Sequence, residues 1–317
     1  MSTLCKKAWI SAAISLAFAA APAWAAAPMA KTQAPGYFRM MLGQFEVTAL
    51  NDGTVDLPAN TILKNIAPAH IDAALAKSFL KNPVETSVNA FLINTGSKLV
   101  LVDTGAGKLF GPTLGRFLAN LKASGYQPEQ IDEIYITHMH GDHIGGLEAN
   151  EQPAFPNALV RAQKAESDYW LSQANMDKAA SKGGFQGAMK MINPYAAAGR
   201  FKAFEGGVEL VPGIKALPGK GHTPGHSAYL VESGGQRLVL IGDMIHVGAV
   251  QLDDPQVTIT FDSDSTLAAH ERKAEFDQAA KNGDFIGAAH LQFPGLGHLR
   301  SNGKGYTWIP VNYTVPR

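Results

Sequence analysis

Three histidines and an aspartate are packed into the six-residue stretch HMHGDH, residues 138–143, of a chain with only ten histidines. In an extended segment His138 and His140 point to the same side. The glycine that follows lets the backbone turn, so that Asp142 and His143 can face the same point. Imidazoles with one carboxylate suit zinc and other borderline divalent ions, and the absence of thiolates argues against a closed structural zinc site.

The elements around this stretch predict how it is positioned. The segment IDEIYIT (131–137) is typical of a strand, and the histidines form the loop at its C-terminal end. Before it, residues 87–105 predict two strands joined by a glycine-containing turn, and residues 111–125 have helical spacing with a glycine stop. Residues 227–243 repeat the hairpin, so strand, strand, helix, strand occurs twice. This order predicts an α/β protein with two stacked sheets and helices on the outer faces. Further helices are predicted at 163–175, 185–197 and 264–282.

Composition limits the classes of function. The 317 residues are 46% hydrophobic and 17% charged with a formal net charge of +0, which is typical of a globular domain. The chain contains no long run of lysine or arginine, so its charge pattern does not indicate nucleic acid or an anionic membrane as a partner. We therefore expect a small, neutral molecule as the partner. From residue 37 to residue 317 no linker or repeat interrupts the pattern, which predicts one domain after an N-terminal segment at 26–36.

The first 25 residues predict a cleaved export signal. Lys6 and Lys7 precede an apolar, alanine-rich run, and Ala23 and Ala25 provide small residues at a cleavage site. A membrane anchor is the alternative, but the run is short and is broken by a proline. Export predicts a periplasmic or secreted protein. The only cysteine, Cys5, lies before the apolar run, so the mature chain is expected to contain no thiol or disulfide.

The stretch HMHGDH resembles the His-x-His-x-Asp-His signature of the metallo-β-lactamase superfamily. Later segments match the remaining elements: GKGHTPGHS contains His222, VLIGD ends at Asp243, and FIGAAH ends at His290. The resemblance covers nearly the whole mature chain and implies an αββα sandwich that binds two divalent ions. Zinc is the expected metal, and manganese, cobalt and iron are the alternatives. It implies that one ion takes His138, His140 and His222, that the other takes Asp142, His143 and His290, and that Asp243 bridges them.

Four longer segments are similar to methyl parathion hydrolase and related exported lactonases and arylesterases. These segments are residues 34–58, 94–116, 126–143 and 303–315. The resemblance implies hydrolysis by a hydroxide shared between two cations, with Asp142 orienting it or passing on its proton. It also implies a possible homodimer.

The other histidines have separate interpretations. His226 is more typical of a packing residue or of one that orients a ligand. His298 competes with His290 for the last ligand position, and His290 is favoured because it ends an apolar strand. His70 and His270 are expected to face solvent.

His246 is a candidate catalytic residue. It lies three residues after Asp243, where similar homoserine-lactone hydrolases have a tyrosine that reaches the substrate carbonyl and methyl parathion hydrolase has an apolar residue. A polar donor suits a carbonyl oxygen, so a lactone or aryl ester of the dihydrocoumarin type is the expected substrate. The alternative role for His246 is to satisfy a nearby backbone group.

Phe110, Trp170 and Phe185 match an aromatic pocket in methyl parathion hydrolase, and together with His246 they form the predicted substrate pocket. Ordinary core packing is the alternative for each aromatic side chain. An aromatic pocket would favour a hydrophobic ester, lactone or organophosphate. Two other functions stay open: a phosphotriesterase of the methyl parathion hydrolase type, and a non-catalytic metal-binding protein on the same fold.

Overall fold

The computed structural model describes residues 27–315, so the predicted signal peptide, residues 1–25, lies outside the described part of the chain. Pro35–Arg317 form one compact unit, described through Val315, whereas residues 27–34 contain neither helix nor strand. Within residues 27–315, no helix is long and apolar enough to cross a membrane.

Strands and helices follow one another along the whole unit. The strands are β1 (Tyr37–Leu42), β2 (Phe45–Leu57), β3 (Leu63–Lys64), β4 (Val84–Asn94), β5 (Leu99–Val102), β6 (Glu133–Tyr135), β7 (Glu148–Ala149), β8 (Gln152–Pro153), β9 (Leu159–Arg161), β10 (Glu209–Val211), β11 (Ile214–Pro218), β12 (Ser227–Ser233), β13 (Gln236–Leu240), β14 (Thr258–Ile259), β15 (Phe285–Gly287), β16 (Leu296–Ser301) and β17 (Tyr306–Pro310). The helices are α1 (Ala59–Ile62), α2 (Pro68–Lys77), α3 (Phe117–Ala123), α4 (Gly141–Ile144), α5 (Lys164–Trp170), α6 (Gln173–Lys178), α7 (Gly183–Ala197), α8 (Gly248–Gln251) and α9 (Ser265–Asn282).

Two mixed sheets carry the fold. The first has the strand order β1-β2-β4-β5-β6-β9, and the second has the order β10-β11-β12-β13-β15-β16-β17. In the first sheet β6 runs parallel to both β5 and β9, and in the second β13 runs parallel to β15. Parallel neighbours end at the same edge of a sheet, so loops that follow these strands can share one site.

Alternating side chains explain why the layers stack. In β5 Val100 and Val102 pack between the two sheets, while Leu101 packs outward against Phe117 of α3. The second sheet repeats this arrangement, since outward-facing side chains of β12 and β13 pack with Phe276 of α9. Helix, sheet, sheet and helix therefore form four layers, and the predicted αββα sandwich is confirmed.

Of the four helix predictions, 185–197 and 264–282 are confirmed within two residues, whereas 111–125 and 163–175 are wrong in extent. In 111–125 only Phe117–Ala123 is helical, because Gly115 has a left-handed φ of 85° that a right-handed helix does not adopt. The predicted helix 163–175 is two helices, α5 and α6, because the Ser172 side chain accepts a hydrogen bond from Asn175 N and starts a second helix. The predicted helix 264–282 begins after Asp264, whose side chain accepts a hydrogen bond from Leu267 N, and ends at Asn282, where the next residue, Gly283, has a left-handed φ of 72°.

Candidate metal centre

The loop after β6 brings four candidate ligands to one edge of the first sheet. His138 follows β6, and His140, whose backbone is extended, directly precedes the short helix α4, which carries Asp142 and His143. The start of the loop is anchored by Asp103, whose carboxylate accepts hydrogen bonds from the N–H and the hydroxyl of Thr137 at 2.8 and 2.7 Å. The dense motif is thus attached directly to the end of β5.

The second sheet supplies the other three candidate ligands from separate loops. His222 lies between β11 and β12, Asp243 follows β13, and His290 follows β15. The two sheets are joined at this end, where Ser227 N donates to the Thr137 carbonyl at 2.9 Å. All seven side chains that the sequence predicted as ligands therefore meet at one place.

Asp243 lies between two groups of histidines and presents one oxygen to each. Its Oδ2 is 3.5 Å from His138 Nε2 and 3.3 Å from His222 Nε2, whereas its Oδ1 is 3.1 Å from Nε2 of both His143 and His290. Donors that share a tetrahedral ion at about 2.0–2.2 Å lie at similar distances from one another. The carboxylate is therefore placed to bridge two ions.

Two further side chains complete the groups. His140 Nδ1 is 3.1 Å from His222 Nε2, and Asp142 Oδ2 is 3.6 Å from His143 Nε2 and 3.5 Å from His290 Nε2. The donor atoms of each group lie within 4.8 Å of one another. Two of the groups are His138, His140, His222 and Asp243, and Asp142, His143 and His290; a third, overlapping group is Asp243, His246 and His290.

Buried atoms without partners show that this cluster fits metal ions. Within residues 27–315, His138 Nε2, His143 Nε2 and Asp243 Oδ1 are buried and make no hydrogen bond. Leaving such atoms unsatisfied costs about 1–3 kcal/mol each. Their shared direction, toward the centre of the cluster, is what metal ligation requires. The clusters therefore indicate two metal ions.

The opposite ring nitrogens of three histidines are held by groups that the sequence analysis missed. His143 Nδ1 lies 2.8 Å from Asp103 Oδ2, and His222 Nδ1 lies 2.9 Å from Asp262 Oδ1. His290 Nδ1 lies 3.0 Å from the Ser87 carbonyl oxygen. An acceptor at Nδ1 places the proton there and leaves Nε2 free for a metal. Asp103 ends an apolar strand as Asp243 does, and that signal could have identified it.

Carboxylates give the cluster an affinity for positive charge. Burial alone would raise the pKa of Asp243, but the neighbouring His143 and His290 hold that pKa well below its usual range. Burial disfavours charged His222, yet Asp243 and Asp262 outweigh burial and raise the pKa of His222 to about 9. A divalent ion can replace the protons that these histidines would otherwise retain.

The remaining histidines lie in different environments. His226 accepts a hydrogen bond from Asp243 N at Nε2 (3.0 Å), and its Nδ1 lies 2.8 Å from the Gly219 carbonyl, so it positions the ligand loops. His298 lies away from the cluster, with Nδ1 3.1 Å from the Asp284 carbonyl. His70 and His270 are exposed, as predicted.

His246 is buried beside the proposed ligands. Its Nε2 lies 3.1 Å from Asp243 Oδ2, and its ring stacks on His290 with centroids 5.0 Å apart. Its backbone N–H donates to Gln251 Oε1 at 2.9 Å, which fixes the residue in place. Burial lowers the pKa of His246 to about 4, so the ring is neutral at physiological pH and carries a single N–H.

A cavity of about 320 Å³ opens above the cluster. Of the four residues of the predicted substrate pocket, Phe110 and His246 line this cavity, and Trp170 and Phe185 do not belong to its lining. Trp170 instead packs on His140 and on Phe185, with ring centroids 5.4 and 4.8 Å apart, and Phe185 is only 3% exposed. The cavity also has apolar walls that the sequence did not predict. These are Val55, Leu57, Leu114 and Phe261.

Residues 83–290 match the family described as the metallo-beta-lactamase superfamily. The chain belongs to this superfamily. The predicted resemblance and fold are therefore confirmed, and the chain is a metal-dependent hydrolase of the superfamily.

Several relatives match over most of their length. A crystal structure of hydrolase AbOPH, of the beta lactamase superfamily, is 40% identical, covers 90% of this chain and 100% of its own, and superposes with a TM-score of 0.86. The structure of AidC, a dizinc quorum-quenching lactonase, is 27% identical, covers 88% of this chain and 99% of its own, and superposes with a TM-score of 0.81. An N-acyl homoserine lactonase from Bacillus cereus is 28% identical over 225 residues, which is 65% of this chain and 82% of the relative.

Proposed function

We propose that this protein is a binuclear metal-dependent hydrolase that hydrolyses lactones and aryl esters. The observation that carries the proposal is the position of Asp243, which presents one oxygen to each of two ligand groups at the base of an apolar cavity. The similarity to AidC and to the Bacillus lactonase supports the lactone as the reacting group.

The seven side chains are proposed to hold the ions in two sets. His138, His140 and His222 would bind one, Asp142, His143 and His290 would bind the other, and Asp243 would contact both. Two divalent ions, for which we propose zinc, would make water nucleophilic at neutral pH and polarise the scissile carbonyl.

Asp142 and His246 are the proposed catalytic residues of the chain. The Asp142 side chain is 20% exposed and lines the cavity, so it can orient the attacking water and accept its proton. His246 also lines the cavity, and we propose that its single N–H donates to the carbonyl oxygen of the substrate. The close contact with Asp243 offers a competing partner for that N–H, which makes His246 the residue to test first.

The cavity favours a neutral, hydrophobic substrate. Apart from the proposed site residues, no ionisable side chain lines it within the part of the chain that the structure describes. A volume of about 320 Å³ is at the small end of ligand pockets, which suits an aryl lactone such as dihydrocoumarin or a short acyl-homoserine lactone. An aryl phosphotriester is the second candidate, because it too is neutral and develops an oxyanion during attack.

A kinetic comparison of zinc-loaded protein tests the proposal. The substrates are dihydrocoumarin, phenyl acetate, an acyl-homoserine lactone and methyl parathion. We expect kcat/KM for a lactone or aryl ester to exceed that for methyl parathion by about 10²-fold or more. A preference for methyl parathion would establish the phosphotriesterase alternative, and two bound ions without any hydrolysis would establish the non-catalytic one.

We also propose that the protein is exported with cleavage after Ala25. The mature chain would then lack Cys5, the only cysteine, so thiol reagents and reductants should leave its activity unchanged. N-terminal sequencing of protein from the periplasm or medium checks the cleavage. An active cytoplasmic form that retains Met1 would contradict the proposal.

A further inference from the structure

Glu166 is a buried carboxylate that joins the two loops carrying His138, His140 and His222. It lies in α5, is 0% exposed, and has none of the proposed ligands among its hydrogen-bond partners. Its Oε1 accepts a hydrogen bond from Met139 N at 2.8 Å. This side chain is not used in the proposed chemistry.

The second oxygen of Glu166 holds the other loop. Oε2 accepts from the Thr223 hydroxyl at 2.7 Å and from Gly225 N at 2.9 Å. All three partners are donors, so the side chain must act only as an acceptor, which is the role of a carboxylate. Charge-assisted hydrogen bonds of this kind are stronger than neutral ones.

Close packing shows that the loop after His222 is built around Glu166. A Cβ on Gly225 would lie 2.2 Å from Glu166 N and 2.6 Å from Glu166 Cβ, so only glycine allows this approach. On the other side Met139 is 0% exposed and packs in the outer core of the first sheet. The carboxylate thus holds the backbone of both loops against the closely packed helix α5.

The hydrogen bonds of Glu166 are adjacent in sequence to the proposed ligands. Met139 separates His138 from His140, and Thr223 follows His222 directly. The two loops meet where His140 Nδ1 lies 3.1 Å from His222 Nε2. We propose that Glu166 is a positioning residue that sets the separation of these two loops and thereby the metal affinity of the site formed by His138, His140 and His222.

This inference rests on the proposed ligands but not on the proposed substrate. Groups that orient metal ligands typically change metal affinity about 10–100-fold when they are removed. Glu166 is absent from the cavity lining, so its loss should leave KM nearly unchanged once the metal site is filled. A role in substrate binding would move KM instead.

Zinc affinity measured by competition with a chromophoric chelator tests the proposal. Glu166→Gln keeps the size but places an amide N–H₂ against donors, so we expect about 10–100-fold weaker binding at one of two sites. Thr223→Val removes one donor and leaves the carboxylate, and it should weaken binding less, in the same direction. Asp168→Asn is the matched control, since Asp168 lies on the same helix with its side chain 60% exposed, and it should bind zinc as the wild type does.

The outcomes separate the inference from the proposed function. Wild-type zinc affinity in folded Glu166→Gln would overturn the inference, as would unchanged affinity with an altered KM. If Glu166→Gln does not fold by circular dichroism, Thr223→Val decides, and its unchanged affinity would overturn the inference. Failure of the wild type to bind two zinc ions or to open lactones would instead contradict the proposed function.

Discussion

The floor beneath the cavity, which is the cluster of seven proposed metal ligands, and its wall of apolar side chains are held in different ways. The wall consists of Val55, Leu57, Phe110, Leu114 and Phe261. On the floor, His143, His222 and His290 each have a second partner at the ring nitrogen that faces away from the cluster. On the wall, the side chains of Phe110 and Phe261 are 48% and 43% exposed and have no polar atom that a hydrogen bond could hold. The comparison teaches that this molecule fixes its chemistry with polar contacts and leaves its substrate preference to apolar contacts that can be exchanged.

Energetics give the reason for the difference. A ligand displaced by 1 Å can cost about 10²-fold in rate, whereas one methylene of apolar contact changes discrimination by about 1–3 kcal/mol. Substitutions on the floor should therefore abolish activity, and substitutions on the wall should redistribute it among substrates.

The largest expected effect is that of Asp243→Ala on the floor. Without the shared carboxylate the two ligand groups are uncoupled, so bound metal should fall from two ions to one or fewer. Hydrolysis should fall by more than about 10³-fold, since members of a catalytic unit are not replaceable singly. Elemental analysis with ester kinetics measures both. One ion per chain in fully active wild type would contradict the binuclear mechanism.

His246→Leu tests where floor and wall meet. If its N–H donates to the carbonyl oxygen, dihydrocoumarin turnover should fall on the order of 10²–10³-fold. Methyl parathion turnover should stay equal or rise, because for the larger tetrahedral phosphotriester His246 mainly occupies space beside the proposed ligands. Equal losses on both substrates, at unchanged metal content, would show that His246 acts on Asp243 rather than on the substrate.

Phe110→Ala tests the wall alone. Losing part of the apolar contact should raise KM for aryl esters about tenfold, or about 1.4 kcal/mol, with kcat and metal content nearly unchanged. Phe79→Ala is a matched control, since Phe79 is 97% exposed and is not among the cavity lining. A loss of bound metal in Phe110→Ala would break the division between floor and wall.

The last prediction concerns stability rather than activity, through the pH dependence that His226 contributes. Burial lowers the pKa of His226 to about 3, from 6.5 in an unfolded chain. Below pH 6.5 the unfolded chain binds a proton that the folded chain does not, so this term lowers the free energy of unfolding as pH falls toward 3. The slope is at most about 1.4 kcal/mol per pH unit.

Urea unfolding of wild type and His226→Gln measures this term. The stability advantage of the wild type should be constant above pH 6.5 and should shrink between pH 6.5 and pH 5. An advantage that does not change over this range would show that His226 becomes protonated in the folded protein.

The candidate ligands were predicted from the resemblance to the superfamily's motifs, and three of them also stand where chain order is informative. His138, Asp243 and His290 each follow an apolar strand, and such strands place their ends along one edge of a sheet. The αββα fold was predictable for the same reason, since the order of strands and helix repeats. The structure brings these residues together, while their roles as ligands stay a prediction.

The orienting partners and the wall could not be predicted, because they depend on which loops meet in space. Asp262 contacts His222 from a segment 40 residues further along the chain, and Glu166 contacts loops on both sides of it. Val55 comes from β2, whose sequence indicates only a strand. Trp170 had the right residue type for a pocket, yet its neighbours turn it against His140.

Phe261 is a wall residue attached to the floor. The next residue, Asp262, binds His222 Nδ1 with one oxygen and Ile259 N with the other, at 2.9 and 3.1 Å. A change at Phe261 therefore lies one peptide unit from the carboxylate that contacts the proposed ligand His222. Substitutions at Phe261 will combine non-additively with those in the metal centre, so the order in which such changes accumulate restricts the evolutionary routes to new substrates.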